Sequence, residues 1–181
     1  MTQSANQTIR MQIRDASPND QDAIRDLTLD AYHEYAAQFP AHWEDYRQNI
    51  LTTLDLAESA EQIIAEQNGA ILGSVLLFPA GIIGFEPNGT PVTSPWPEVR
   101  LLAVALSSRG QGIGVALMKE CVRRAQASGA AVLTLHTTDM MQTALRLYER
   151  MGFVRSPELD FHPAPDLTVK GYRLNLEGLA E

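Results

Sequence analysis

Cysteine is nearly absent from the 181 residues: Cys121 stands alone, which excludes an internal disulfide. It sits among apolar residues at helical spacing, reads as a small buried hydrophobe and fits a reducing cytoplasm. Long hydrophobic runs are missing too. The longest uncharged apolar stretch, Ala70 to Phe85, is interrupted by Gly73, Pro79 and Gly81 and falls short of the roughly 20 residues that span a bilayer. Met1 to Thr8 are polar, with no apolar core and no cleavage signature. A soluble, cytoplasmic chain with a flexible stretch over residues 1–8 and no membrane partner is therefore expected. Basic residues are scarce, 14 Lys and Arg against 22 Asp and Glu, for a net charge of −8. Nucleic-acid binding draws its affinity from clustered Lys and Arg, so a nucleic-acid partner is disfavoured. The acidity mildly favours a cationic partner but serves solubility at least as readily.

What is present is an ordinary globular composition, 45% hydrophobic, on a length that buries one core, so a single domain over residues 1–181 is expected. Ile9 to Arg14 alternate apolar and polar, a strand that ends at Ser17-Pro18-Asn19-Asp20. That run supplies a hydroxyl N-cap, a proline at the first helical position and a carboxylate three residues after the cap. Ile24, Leu27, Ala31 and Tyr35 repeat at helical spacing up to Pro40, and Trp43, Tyr46, Ile50, Leu54 and Ala57 mark a second amphipathic helix. Glu61 to Gln67 and Ala70 to Phe78 flank Asn68-Gly69, the pair that best tolerates the positive φ angles of a type I′ hairpin turn. From Pro79 to Pro97 the chain holds five of its ten prolines and three glycines, which predicts a long irregular loop of the kind that forms functional lids.

Farther on, Glu98 to Val104 predicts a strand, Gly112 to Ala127 a helix and Ala131 to Thr137 a strand. Met141 to Met151 predicts a helix with Ala144, Leu147, Tyr148 and Met151 inward, stopped by Gly152 where a left-handed cap is wanted. Phe153 to Arg155 begins a strand, Ser156 to Thr168 reads as a loop, and Val169 to Leu176 is a final strand. This order indicates an α/β fold, a mixed α+β sheet with helices on both faces and a parallel strand-helix-strand unit at its middle.

Arg109-Gly110-Gln111-Gly112-Ile113-Gly114 follows a strand and opens a helix. Backbone N–H groups converge there with no Cβ to block an anion, which makes a phosphate cradle; a turn needed only for tight packing would look the same. The spacing excludes the Walker loop, because Val115-Ala116 follow the last glycine instead of Lys and Ser or Thr. It also disfavours a dinucleotide fingerprint, because Val115 and Leu117 stand where a glycine is wanted.

The pattern Arg109-x-x-Gly112-x-Gly114 resembles the signature of the GNAT superfamily of N-acetyltransferases. Ala144 to Phe153 is similar to that family's second block: an alanine, a tyrosine four residues on at Tyr148, and the closing pair Gly152-Phe153. The resemblance spans nearly the whole chain in element order but is motif-specific only from Glu98 to Phe153. It implies a mostly antiparallel sheet splayed between the Glu98 and Ala131 strands. Acetyl-CoA, as acyl donor, would lie in the gap, held by the backbone of Leu102, Ala103 and Val104 and by Arg109, Gly110, Gln111, Gly112, Ile113 and Gly114. Two positions depart from the family: Ala105-Leu106 stand where Asp-Pro is frequent, and Met141 where an asparagine often contacts the cofactor.

By the same resemblance Glu98 is the candidate general base, Val104 N–H the oxyanion donor and Tyr148 the general acid for the departing thiolate. Read from the residues alone, Glu98 has the alternative of a solvated strand-end glutamate and Tyr148 that of a packing aromatic. No metal is implied. His136, at a strand end three residues before Asp139, is too sparse for a metal site and reads as a polar contact to the acceptor or a loop residue. His33, Trp43, Trp96 and His162 read as core or surface. The expected activity is acetyl-CoA-dependent acetylation of a primary amine of a small molecule or peptide, and the alternative is a non-catalytic acyl-CoA sensor. The acceptor is not legible, nor is the oligomeric state, with which a homodimer is compatible.

Overall fold

The computed structural model describes residues 10–85 and 89–178. The expected flexible stretch over residues 1–8 lies outside them. Three antiparallel strands, β1 (Gln12–Asp15), β2 (Glu61–Gln67) and β3 (Ala70–Phe78), carry the alternating segments of the first half. Asn68 and Gly69 turn the β2–β3 hairpin with φ of 56° and 79°, as the dipeptide requires. β1 begins three residues later than the alternation predicted, and Ile9 falls outside the described residues. Between β1 and β2 run α1 (Gln21–His33) and α2 (Trp43–Asp55). Asp20 anchors the entry to α1, its carboxylate accepting from the Ser17 backbone N–H and hydroxyl, both at 2.7 Å. α2 stops at Asp55, so Ala57 belongs to a following 3-10 turn and not to the helix.

The proline-rich stretch corrects one expectation. It contains a separate two-stranded ribbon, β4 (Gly81–Phe85) with β5 (Pro91–Ser94), in place of an irregular loop. Proline is tolerated in such a ribbon because each strand has only one partner and an open edge.

The second half supplies β6 (Glu98–Val104), α3 (Ile113–Ala127), β7 (Val132–Thr137), α4 (Gln142–Arg150) and β8 (Val154–Arg155). β9 (Phe161–Ala164) and β10 (Leu167–Asn175) follow. Here too the expected loop from Ser156 to Thr168 is partly regular, with a 3-10 turn at Pro157–Leu159 and β9 folded back on β10. The sheet runs β1-β2-β3-β6-β7-β10-β8, with β6–β7 its parallel pair as expected of the strand-helix-strand unit.

Apolar residues pack on both faces. α3 and α4 cover one face with Leu117, Met118, Cys121 and Leu147 against Ile63, Val75, Val99 and Leu135. α1 and α2 cover the other with Ile24, Tyr32 and Ile50 against Ile64, Leu76 and Phe78. Burial pushes the Cys121 thiol up to about 12, so at neutral pH it is an unreactive apolar group. No helix among the described residues is long and apolar enough to cross a membrane.

Candidate active site

A bulge in β6 creates the site. Leu76 pairs with Arg100 and Ser74 with Ala103, so Leu101 and Leu102 together oppose Val75 alone. The extra residue is accommodated at Leu101 in the left-handed region, φ 50°, which costs a branched L-residue about 1–2 kcal/mol. β6 bends away from β7 as a result, and the two pair only at Glu98–Thr134 and Val99–Leu135. Beyond Val99 the strands part, and the sheet opens as the family resemblance implies.

Backbone lines the β6 side of this gap. Ala105 N–H donates to Leu72 O on β3 at 2.9 Å, and successive strand amides alternate in direction, so the Val104 amide is turned toward the gap. Leu102 O accepts the Tyr32 hydroxyl at 3.4 Å. The glycine turn lies at the same end of the gap. Gly110 and Gly112 have φ of 77° and 80°, and a Cβ at either would meet nothing within 4 Å: these glycines serve a backbone conformation beside open space, not packing. α3 opens with Gly112 at its N-cap, no side-chain cap and no acidic residue in its first turn, leaving its first N–H groups for an anion. Gly73 seats that helix end, because a Cβ there would lie 2.8 Å from Ala103 O and 3.0 Å from Ile113. This cradle fits a pyrophosphate. The Arg109 side chain turns elsewhere: its guanidinium forks onto Glu34, two bonds at 2.8 Å, at the end of α1.

Side chains fill the other end. Tyr32, Tyr35, Leu102, His136, Met141 and Tyr148 wall a cleft, with Arg100 at its edge. Tyr148 is turned inward on α4 and is 6% exposed. Its hydroxyl has no hydrogen-bond partner among the described residues, and burial pushes its pKa above the ordinary phenol value, so it stays protonated at neutral pH. Met141, where the family often has asparagine, is buried in the α1–α2 core. Glu98 is 3% exposed and set behind the cleft wall. Its Oε1 accepts from His136 Nδ1 at 2.8 Å and its Oε2 from Arg100 at 2.9 Å. Burial would raise the carboxyl, but these two bonds outweigh it and hold the pKa below its ordinary value.

Sequence reasoning left His136 and Arg100 out of the site. The signal that finds them is register: Glu98 pairs with Thr134, which brings His136, two residues along the same pleat, beside the carboxylate. His33 and Trp43 form an edge-to-face pair on α1 and α2, and His162 bonds Thr168 in the β9–β10 hairpin. No group of three or more His, Cys, Asp or Glu suited to a metal occurs among the described residues.

Residues 28–153 match the family described as Acetyltransferase (GNAT) family. The chain belongs to that family. It is 35% identical over 98 residues to the mycothiol acetyltransferase of Parafrankia sp. (strain EAN1pec) and 33% identical over 98 residues to the mouse protein named Probable N-acetyltransferase family 8 member 5. Each alignment spans 51% of this chain but only 30% and 38%, respectively, of those relatives. Among solved structures, a GNAT family acetyltransferase from Brucella melitensis in complex with acetyl-CoA superposes with a TM-score of 0.60. It is 23% identical and the match covers 92% of this chain and 88% of that one, a likeness of fold.

Proposed function

We propose that this GNAT protein is an acetyl-CoA-dependent N-acetyltransferase acting on a primary amine of a small molecule or peptide. The observation that carries the reading is Tyr148, a buried side chain whose protonated hydroxyl has no hydrogen-bond partner among the described residues, at the inner end of a gap whose outer end is an anion cradle. An acyl-CoA-binding sensor would have use for the cradle but none for an unpaired acid in the cleft wall. The glycine turn and the first turn of α3, residues 109–114, would hold the pyrophosphate, and the backbone of Leu102 and Val104, on the gap side of β6 with Ala103 between them, the pantetheine arm. The donor supplies an activated acetyl group.

In the transfer the amine nitrogen bonds to the acetyl carbon and the carbon–sulfur bond breaks. Val104 N–H would face the oxygen that gains charge, and Tyr148 would donate its proton to the departing sulfur and recover one from solvent. Glu98 receives the amine proton. Because its side chain lies behind the cleft wall with both oxygens engaged, it receives that proton through water. A carboxylate held so low is always ready to accept at neutral pH but has little driving force to keep the proton, which then passes to solvent.

Thiol release from acetyl-CoA, measured across amines, polyamines, amino acids, aminoglycosides and peptides, tests the reading. Release dependent on at least one amine class is expected. Tight coenzyme A binding with no release for any class would make the chain a sensor.

A further inference from the structure

The bond between His136 and Glu98 is one end of a longer chain of contacts. His136 Nε2 lies 2.9 Å from Leu159 O, in the 3-10 turn before β9, while Nδ1 faces the Glu98 carboxylate. A carbonyl and a carboxylate can only accept, so both ring nitrogens donate and the ring carries two protons. The turn that delivers Leu159 has its own requirement. Gly171 pairs with His136 across β10–β7, and a Cβ there would lie 2.3 Å from Leu159 Cβ and 3.1 Å from Ser156 O. Only glycine lets the turn lie flat on the strand. Gly171 then fixes it further, its N–H donating to Asp160 at 2.9 Å and its carbonyl accepting from Ser156 N–H at 2.9 Å.

We propose that His136 is the positioning residue of the site: a doubly donating ring, anchored on Leu159, that fixes the Glu98 carboxylate where β6 and β7 part. The proposal rests on the cleft being the acyl-transfer site. Its charged surroundings are few. Arg100 shares Glu98 from β6; on the β10 side Lys170 is paired with Asp139, and Asp160 with Arg155. Burial opposes the charge on His136 and the Glu98 contact outweighs it, which raises its pKa. The sign for Glu98 follows: without the His136 donor, burial is opposed by Arg100 alone and the carboxyl pKa rises.

Two substitutions separate the two nitrogens. His136→Asn keeps a donor near the Nδ1 position, facing Glu98, and His136→Gln keeps one near Nε2, facing Leu159. Carbon-13 NMR of labelled glutamate carboxyls, with Glu98 assigned by its loss in Glu98→Gln, reads the titration directly. In wild type Glu98 is expected to titrate below ordinary glutamate. In His136→Gln its midpoint should rise by about one pH unit or more, with the acid limb of the kcat profile moving the same way, while Asn restores most of both. Equal midpoints in wild type, Asn and Gln variants would overturn the proposal, as would ring nitrogen-15 shifts of a singly protonated His136 at pH 6. If Glu98→Gln keeps full activity while the NMR midpoints move as stated, the base assignment fails and the positioning survives.

Discussion

The two ends of the gap between β6 and β7 are built from different materials. The outer end, at the glycine turn, is made of main chain: helix N–H groups, two left-handed glycines and a strand edge bared by the Leu101 bulge. The inner end is made of side chains: Tyr148 on α4, the Glu98–His136–Arg100 group, and an aromatic wall from α1. Main chain offers the same donors whatever the residue, so the outer end suits a part of the ligand that never changes. Side chains can be exchanged one at a time, so the inner end is where an acceptor would be selected. If this division holds, substitutions at the outer end should act on coenzyme affinity and those at the inner end on turnover.

The largest effect expected is at the outer end. Gly112→Val should abolish coenzyme A binding in calorimetric titration while the protein stays folded, since its side chain would occupy open space and cost about 1–2 kcal/mol in backbone strain. Unchanged affinity in a folded variant would show that the glycines shape the turn and hold no phosphate. Gly114→Ala is the companion control. Its Cβ would make only ordinary contacts, 3.5 Å to Leu147 and 3.7 Å to Val104, and binding should survive. Next comes Glu98→Gln, expected to lower kcat/KM by roughly 10²–10⁴-fold at pH 7 with coenzyme affinity unchanged. The loss should shrink as pH rises, because the amine then sheds its proton unaided. A profile parallel to wild type would assign proton transfer to solvent.

The same division explains what the sequence disclosed. The glycine turn, the capped hairpin at Asn68-Gly69 and the α4 stop at Gly152 were legible because each is a local backbone requirement that few residues satisfy. β6 was placed to the residue for a similar reason, its apolar run being bounded by Pro97 and the turn. The β4–β5 ribbon was missed because its prolines and glycines imitate a loop, and what makes it regular is pairing between the two segments. His136 was passed over because a histidine near a strand end means nothing until the β6–β7 register sets it beside Glu98. Gly171 carried no local signal at all: its constraint is Leu159, twelve residues earlier in sequence.

Tyr148→Phe probes the inner end with packing preserved, since the ring keeps its tilted contact with Phe153. A loss of roughly 10²-fold in kcat, with little change in acyl-CoA affinity, is expected of a group used chiefly in the transition state. A donor whose leaving group is already a stabilised anion should recover much of the rate. Wild-type kcat with acetyl-CoA, where chemistry limits turnover, would return Tyr148 to a packing role.

The smallest effect expected is also the sharpest test of the division, because Arg109 carries the one charged side chain of the turn 109–114. Its guanidinium is instead forked onto Glu34, an ion pair whose two side chains are 39% and 36% exposed. Exposed pairs contribute only about 0–1 kcal/mol, so Glu34→Gln should leave stability within about that margin. If main chain alone holds the pyrophosphate, releasing Arg109 should change coenzyme A affinity by less than about threefold, a difference under 1 kcal/mol. If the side chain is a phosphate ligand restrained by Glu34, the variant should bind tenfold or more tightly, and that gain should fade at high salt as screening weakens the new pair. Titration of coenzyme A against both proteins at low and high ionic strength decides between them. A salt-sensitive tenfold gain would mean that the outer end also works through a side chain, and that Glu34 at the end of α1 sets how strongly it does so.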